Sequence, residues 1–216
     1  MRIVDAKRVS RADAKTLVTR KVAGQLLAIL YEETVVETGD NGQATVLSRF
    51  VERSEARGLG SDDELFAAAL DNVRPVGPEN VDVMRVDKRC RIFFFRWEDE
   101  PAISGRILDL AGLLATVASR LSPEAKKLTD TRRGMLVGVP SADLLAVFFV
   151  ATGDLVTGAV NIIANVLANY EEDDADAVSP WLYWVHGDHI EEMGYEVDDD
   201  GDVESVSFPN ELMDLV

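Results

Sequence analysis

Two apolar runs past the middle of the chain, Met135-Leu136-Val137-Gly138-Val139 and Leu144 through Val150, are separated only by Pro140-Ser141-Ala142-Asp143. A turn-forming break between two short apolar runs predicts a strand–turn–strand unit, a hairpin over 135–150. A second hairpin is expected over 34–47, where Thr34-Val35-Val36 and Ala44-Thr45-Val46-Leu47 flank Asp40-Asn41-Gly42. Asn-Gly favours the positive φ angles of tight hairpin turns. Val81 to Val86 alternates apolar and charged residues like a half-exposed strand, and Arg91 to Trp97 is dense enough for a central one. Trp181 to Val185 reads as another strand.

Helical patterns alternate with these strands. Ser10 and Asp13 resemble a capping box, and Ala14, Val18, Val22, Leu26 and Ile29 follow at helical spacing, so a helix is expected from Arg11 to Tyr31. A short helix is expected over Phe50–Arg57, ended by Gly58. Ser61-Asp62-Asp63-Glu64 is the clearest helix start: an N-cap serine, acids in the first turn, and Glu at N3. Pro75, Gly77 and Pro78 mark a possible subdomain break at 75–80. Past Pro101 a long helix is expected to Leu121, and Asp154 caps another that runs to Tyr170. At 216 residues and 47% hydrophobic, the chain can bury a substantial core. The expected fold is α+β, with a mixed or antiparallel sheet packed by several helices into one compact unit.

Two passages carry a family resemblance. The first is Phe50 to Val73, with its Gly-Leu-Gly-Ser break and an Ala-Leu-x-Asn finish. The second runs from Gly134 through the helix to Ser179-Pro180-Trp181-Leu182-Tyr183 and the Gly187-Asp188 corner. Both passages resemble the YtpQ-like family of uncharacterised bacterial proteins, and the resemblance implies a cytoplasmic α+β protein and brings no activity or catalytic residues with it.

Charge divides the chain more sharply than structure does. Of 39 acids and 22 bases, 18 acids and no lysine or arginine lie in 134–216, leaving residues 1–133 with 21 acids, 22 bases and a net charge of +1. The acidic half therefore carries all of the −17. A one-sided field of this kind points to a surface that meets something positive. The contacts expected are Glu171, Glu172, Asp173, Asp174 and Asp176 in one acidic run, and Asp198, Asp199, Asp200 and Asp202 in another, with Trp181, Tyr183 and Trp184 as aromatic anchors. Residues 2–21 hold seven bases against two acids, and that basic segment is expected to lie against part of the acidic half.

Chemistry-bearing motifs are sparse. His186 and His189, with Asp188, are the residues a metal would use, but Gly187-Asp188 reads as a turn that points the imidazoles apart. Glu196 to Val203 resembles a calcium loop with Gly201 at its sixth position, yet Ser207 falls where the bidentate carboxylate belongs. Cys90, the one cysteine, is expected to be a structural thiol. Gly58-Leu59-Gly60-Ser61 opens a helix but lacks a phosphate-loop lysine, and Asp62, Asp63 and Glu64 repel phosphate there. No cofactor, direct nucleic-acid contact or membrane span is expected. The leading reading is a non-enzymatic cytoplasmic binding protein, of immunity, antitoxin or nucleic-acid-mimic type, that engages a basic partner. The alternatives are a soluble accessory domain with solvating acids and a metal-dependent hydrolase centred on His186 and His189.

Overall fold

The computed structural model describes residues 1–38, 44–72, 81–97, 103–118 and 129–216, together with Pro123 and Lys127. Its centre is a six-stranded antiparallel sheet built from β6 (Val81–Arg85), β7 (Arg91–Arg96), β8 (Met135–Ser141), β9 (Leu144–Phe149), β10 (Leu182–His186) and β11 (His189–Met193). The strand order is β11-β10-β8-β9-β7-β6, so the hairpin over 135–150 forms the middle of the sheet. Strands from both sides of the charge boundary at 133/134 share this one sheet.

The central strands β8, β9 and β10 are apolar at nearly every position because both faces are covered, while the edge strands β6 and β11 carry charged residues. Phe93, Phe95, Val137, Val147, Phe149 and Tyr183 point into one core, while Ile92, Leu136, Phe148 and Trp184 point into the other. Over the first face lies a three-stranded sheet of β1 (Arg2–Asp5), β2 (Thr19–Ala23) and β3 (Leu26–Ile29), in the order β1-β3-β2. Phe66 from α3 (Asp62–Asp71) and Ile107, Leu110 and Leu113 close that core. Over the second face lies α5 (Leu155–Asn169), which presents Ala159, Ile162, Ile163 and Val166 to the sheet. It approaches closely because Gly158 stands over the Phe148 ring and Gly138 lies under Val166; a Cβ at either glycine would fall 2.4 or 2.1 Å from those side chains. The hairpin β12 (Tyr195–Val197)–β13 (Val203–Val206) and Leu212, from α6 (Asn210–Met213), complete this core.

The α+β fold, the antiparallel sheet and both hairpins agree with the sequence reading. β4 (Tyr31–Thr38) pairs with β5 (Ala44–Phe50); its turn residues, like the break at 75–80, lie outside the described residues. The Ser61 capping box forms as expected: Ser61 Oγ accepts the Glu64 N–H at 3.3 Å while the Glu64 carboxylate accepts the Ser61 N–H at 2.8 Å. The Asp154 carboxylate likewise caps α5 through the N–H of Thr157 at 2.7 Å.

Three elements differ. The helix expected over Arg11–Tyr31 is one turn, α1 (Asp13–Thr16), followed by β2 and β3. Gly24, at φ +47°, turns the chain between them, and long-range pairing of β3 with β1 overrides the helical spacing. The helix expected over Phe50–Arg57 shortens to α2 (Arg53–Ala56), because Phe50 pairs with Tyr31 in β5. The helix expected from Pro101 to Leu121 starts as a 3-10 segment, Ile103–Asp109, and is α-helical over α4 (Leu110–Ala118), while 101–102 and 119–121 lie outside the described residues. Among the described residues, no helix is long and apolar enough to cross a membrane.

Candidate functional site

The first acidic loop, residues 171–176, leaves the end of α5 with all six side chains exposed. The basic N-terminus holds it chiefly by its backbone. Arg2 donates to the carbonyl of Ala175 at 3.3 Å and to the Asp176 carboxylate at 2.5 Å. Arg8 donates to the carbonyls of Asp174, at 2.6 Å, and of Glu172. The Asp174 carboxylate turns inward to accept the N–H of Asp176 at 2.9 Å. The expected docking of the basic segment onto the acidic half is therefore present, carried by Arg2 and Arg8. Arg20 looks elsewhere: its guanidinium pairs with Asp63 and lies 4.6 Å over the Phe66 ring. Because the arginines engage mostly carbonyls, the carboxylates of Glu171, Glu172 and Asp173 remain in solvent.

The second acidic run is the tip of the β12–β13 hairpin. Gly201 takes φ +87°, a conformation glycine adopts without strain, and the Asp198 N–H donates to the Asp202 carbonyl at 2.9 Å. Asp198 Oδ1 accepts the N–H groups of Asp200, at 3.0 Å, and Asp202, at 2.8 Å. A carboxylate that satisfies two backbone donors shapes the turn. Strands, not helices, bracket this loop, as suits an acidic turn better than a calcium site. Of the nine acids expected at a partner surface, Asp174, Asp176 and Asp198 thus hold local structure. Glu171, Glu172, Asp173, Asp199, Asp200 and Asp202 are exposed, and none of their side chains makes a hydrogen bond or ion pair among the described residues.

The aromatic anchors need correction. Tyr183 and Trp184 are 0% and 1% exposed and fill the two opposite cores, so neither reaches a partner. Successive residues of a strand point to opposite faces, and here both faces are covered. Trp181 is half-buried against Tyr195, with ring centroids 5.3 Å apart. The Tyr183 hydroxyl meets Ser179 Oγ at 2.8 Å and donates to Glu192 at 3.3 Å, and burial pushes its pKa up. The same Glu192 carboxylate accepts the N–H of Gln25 at 3.1 Å, tying the N-terminal sheet to β11.

His186 and His189 are register partners across the β10–β11 turn, where Gly187 has φ +59° and Asp188 is exposed. The two imidazoles share a face, contrary to the expectation that they point apart, because directly paired residues of an antiparallel ladder project to the same side. Both lie against Trp184, with centroids at 5.5 and 5.7 Å, and His189 Nε2 stands 3.2 Å from Glu191. Among the described residues, no group of three His, Cys, Asp or Glu side chains is placed to hold a metal ion. Cys90 is solvent-excluded, and burial, then Asp87, raises its thiol pKa, as befits a structural thiol.

A cleft of about 620 Å³ was missed in the sequence. Phe66, Ile107, Met135, Val185 and Ile190 line it, with Arg20, Asp63, Asp109 and Asp188 among its polar residues. These residues come from α3, the 3-10 segment, four strands and the β10–β11 turn, so no local motif announces the cleft. Its one legible signal is Phe66 on the buried face of the capped helix.

Comparison with known protein families, with curated proteins and with solved structures returns no match.

Proposed function

We propose that this is a non-enzymatic binding protein that captures a basic partner with the acidic loops of its C-terminal half. An immunity or antitoxin protein that blocks a cationic toxin surface is one form of this reading, and a mimic of nucleic-acid phosphate is another. Its setting in this reading is cytoplasmic. The observation that carries it is the six exposed carboxylates, unpaired among the described residues, on two loops whose backbones are fastened independently of them. Acids needed only for solubility have no reason to be held on loops pinned by backbone contacts. Held charges of one sign steer an oppositely charged partner and filter out others.

The test compares the wild-type chain with one carrying Glu171→Gln, Glu172→Gln, Asp173→Asn, Asp199→Asn, Asp200→Asn and Asp202→Asn in pull-downs from native lysate. The expected result is a stoichiometric basic protein retained by wild type at low salt, released by moderate salt and absent from the folded variant. Equal retention by both chains would overturn the reading.

A further inference from the structure

The connection between β6 and β7 gathers positive charge in a chain of net −17. Arg85 and Arg91 are direct register partners there. Like charges directly opposite in an antiparallel pair repel and weaken it, and a neighbouring carboxylate ordinarily offsets this. Here neither guanidinium forms an ion pair among the described residues. Both instead donate to one backbone carbonyl, that of Asp87: Arg85 through Nε at 3.1 Å, and Arg91 through a terminal nitrogen that also reaches the Cys90 carbonyl at 3.0 Å. The Asp87 carboxylate is committed to the loop, where Oδ1 accepts the N–H groups of Arg89 at 2.5 Å and Cys90 at 2.7 Å. Those bonds, and after them the nearby charges of Arg91 and Arg85, hold its pKa below the usual carboxylate value. Lys88 and Arg89 are exposed on the same loop and border an open cleft of about 600 Å³ shared with Ala151–Asp154. Asp154, the acid on the far wall, is turned to the N–H of Thr157 at 2.7 Å.

Two guanidinium groups are thus pinned on one carbonyl with most of their N–H donors unused among the described residues, beside a lysine and a third arginine. A sheet that sets two arginines directly opposite, offset only in part by the charge of the Asp87 carboxylate, breaks a local rule, and such breaks are expected where there is a function. We infer that the Arg85–Arg91 corner is an oxyanion site that takes a phosphate-type group. Arginine's planar fork matches a phosphate's oxygens bidentately, and a bound dianion removes the repulsion between the two strands. This site does not depend on the acidic loops having a basic partner.

The experiment is an amide NMR titration of the intact chain with inorganic phosphate, against sodium chloride at matched ionic strength. Saturable shifts confined to residues 85–91 and 151–154 are expected. Losing one charge-assisted contact should weaken the apparent affinity roughly tenfold in R85Q and in R91Q. K88Q/R89Q changes only exposed side chains and should weaken binding too, which keeps the test decisive if an arginine variant unfolds. R57Q, at an exposed arginine outside the corner, should bind as wild type does. A parallel titration with adenosine monophosphate separates the sources: tighter binding than inorganic phosphate assigns a phosphate ester, and weaker binding assigns the free ion. Shifts that chloride reproduces, or undiminished binding by R85Q or by K88Q/R89Q, would overturn the inference.

Discussion

Replacing Gly158 with alanine tests how α5 is seated. In an unconstrained helix interior the change stabilises by about 1 kcal/mol, since alanine loses less backbone entropy and forms helix more readily. At this site the new Cβ would stand 2.4, 2.5 and 2.7 Å from Cε1, Cζ and Cδ1 of Phe148. Carbon atoms pack best at about 3.5–4.0 Å, so ring or helix must move by about 1 Å. The ring has little room to retreat. It is fully buried, and its other edge lies against Gly153, where a Cβ would sit 3.2 Å from Cε2. Overpacking of this kind costs about 1–3 kcal/mol, which less the helical gain of about 1 kcal/mol leaves G158A less stable by up to about 2 kcal/mol. Urea unfolding followed by tryptophan fluorescence measures this as a lowered midpoint at constant slope. Phe148→Leu removes the ring edge, so a double-mutant cycle should show a favourable coupling of about 1–2 kcal/mol between the two changes. A raised midpoint for G158A, or no coupling with F148L, would refute the close-approach reasoning.

Three further outcomes follow from the same packing. Tyr183→Phe should cost about 1 kcal/mol in urea unfolding, because Ser179 and Glu192 lose a buried hydroxyl partner; an unchanged midpoint would remove that network from the account of stability. The raised pKa of Tyr183, and of Tyr195 at about 12, means the unfolded chain releases its phenolic protons first. Stability held below about pH 10 should therefore fall as pH rises from there toward the folded-state values, seen as earlier melting at pH 11 than at pH 8. Double replacement by phenylalanine should flatten that slope, and a slope unaffected by it would contradict the assignment. The Cys90 thiol should react with a thiol reagent at the rate of unfolding and not before, so rapid labelling of native protein would contradict its burial.

What was legible in the sequence was local. The Ser61 box, the Asp154 cap and both hairpins rest on contacts within a few residues, and side-chain chemistry announces them. The Arg11–Tyr31 segment failed for the opposite reason. Val18, Val22, Leu26 and Ile29 satisfy a helical period, but Leu26, Ala28 and Ile29 are buried in a strand that pairs with β1, and Leu26 and Ala28 pack into the core over the central sheet. Tyr183 and Trp184 were misplaced because a strand's alternation does not say whether the second face is covered. The acidic loops were visible as charge, but the split between carboxylates that shape turns and those left in solvent depends on backbone geometry. The cleft beside Phe66 and the Arg85–Arg91 pair depend on strand register, which neither composition nor spacing specifies.

The most direct measurement of the central claim is the association rate of wild-type protein with its captured basic partner as salt is raised from about 20 to 200 mM, a range over which the Debye length shrinks by roughly threefold. The account predicts an association rate that falls by roughly tenfold or more while dissociation changes little, and a nearly flat profile for the chain with Glu171, Glu172, Asp173, Asp199, Asp200 and Asp202 neutralised. A wild-type rate indifferent to salt, or a neutralised chain that keeps the wild-type profile, would contradict it.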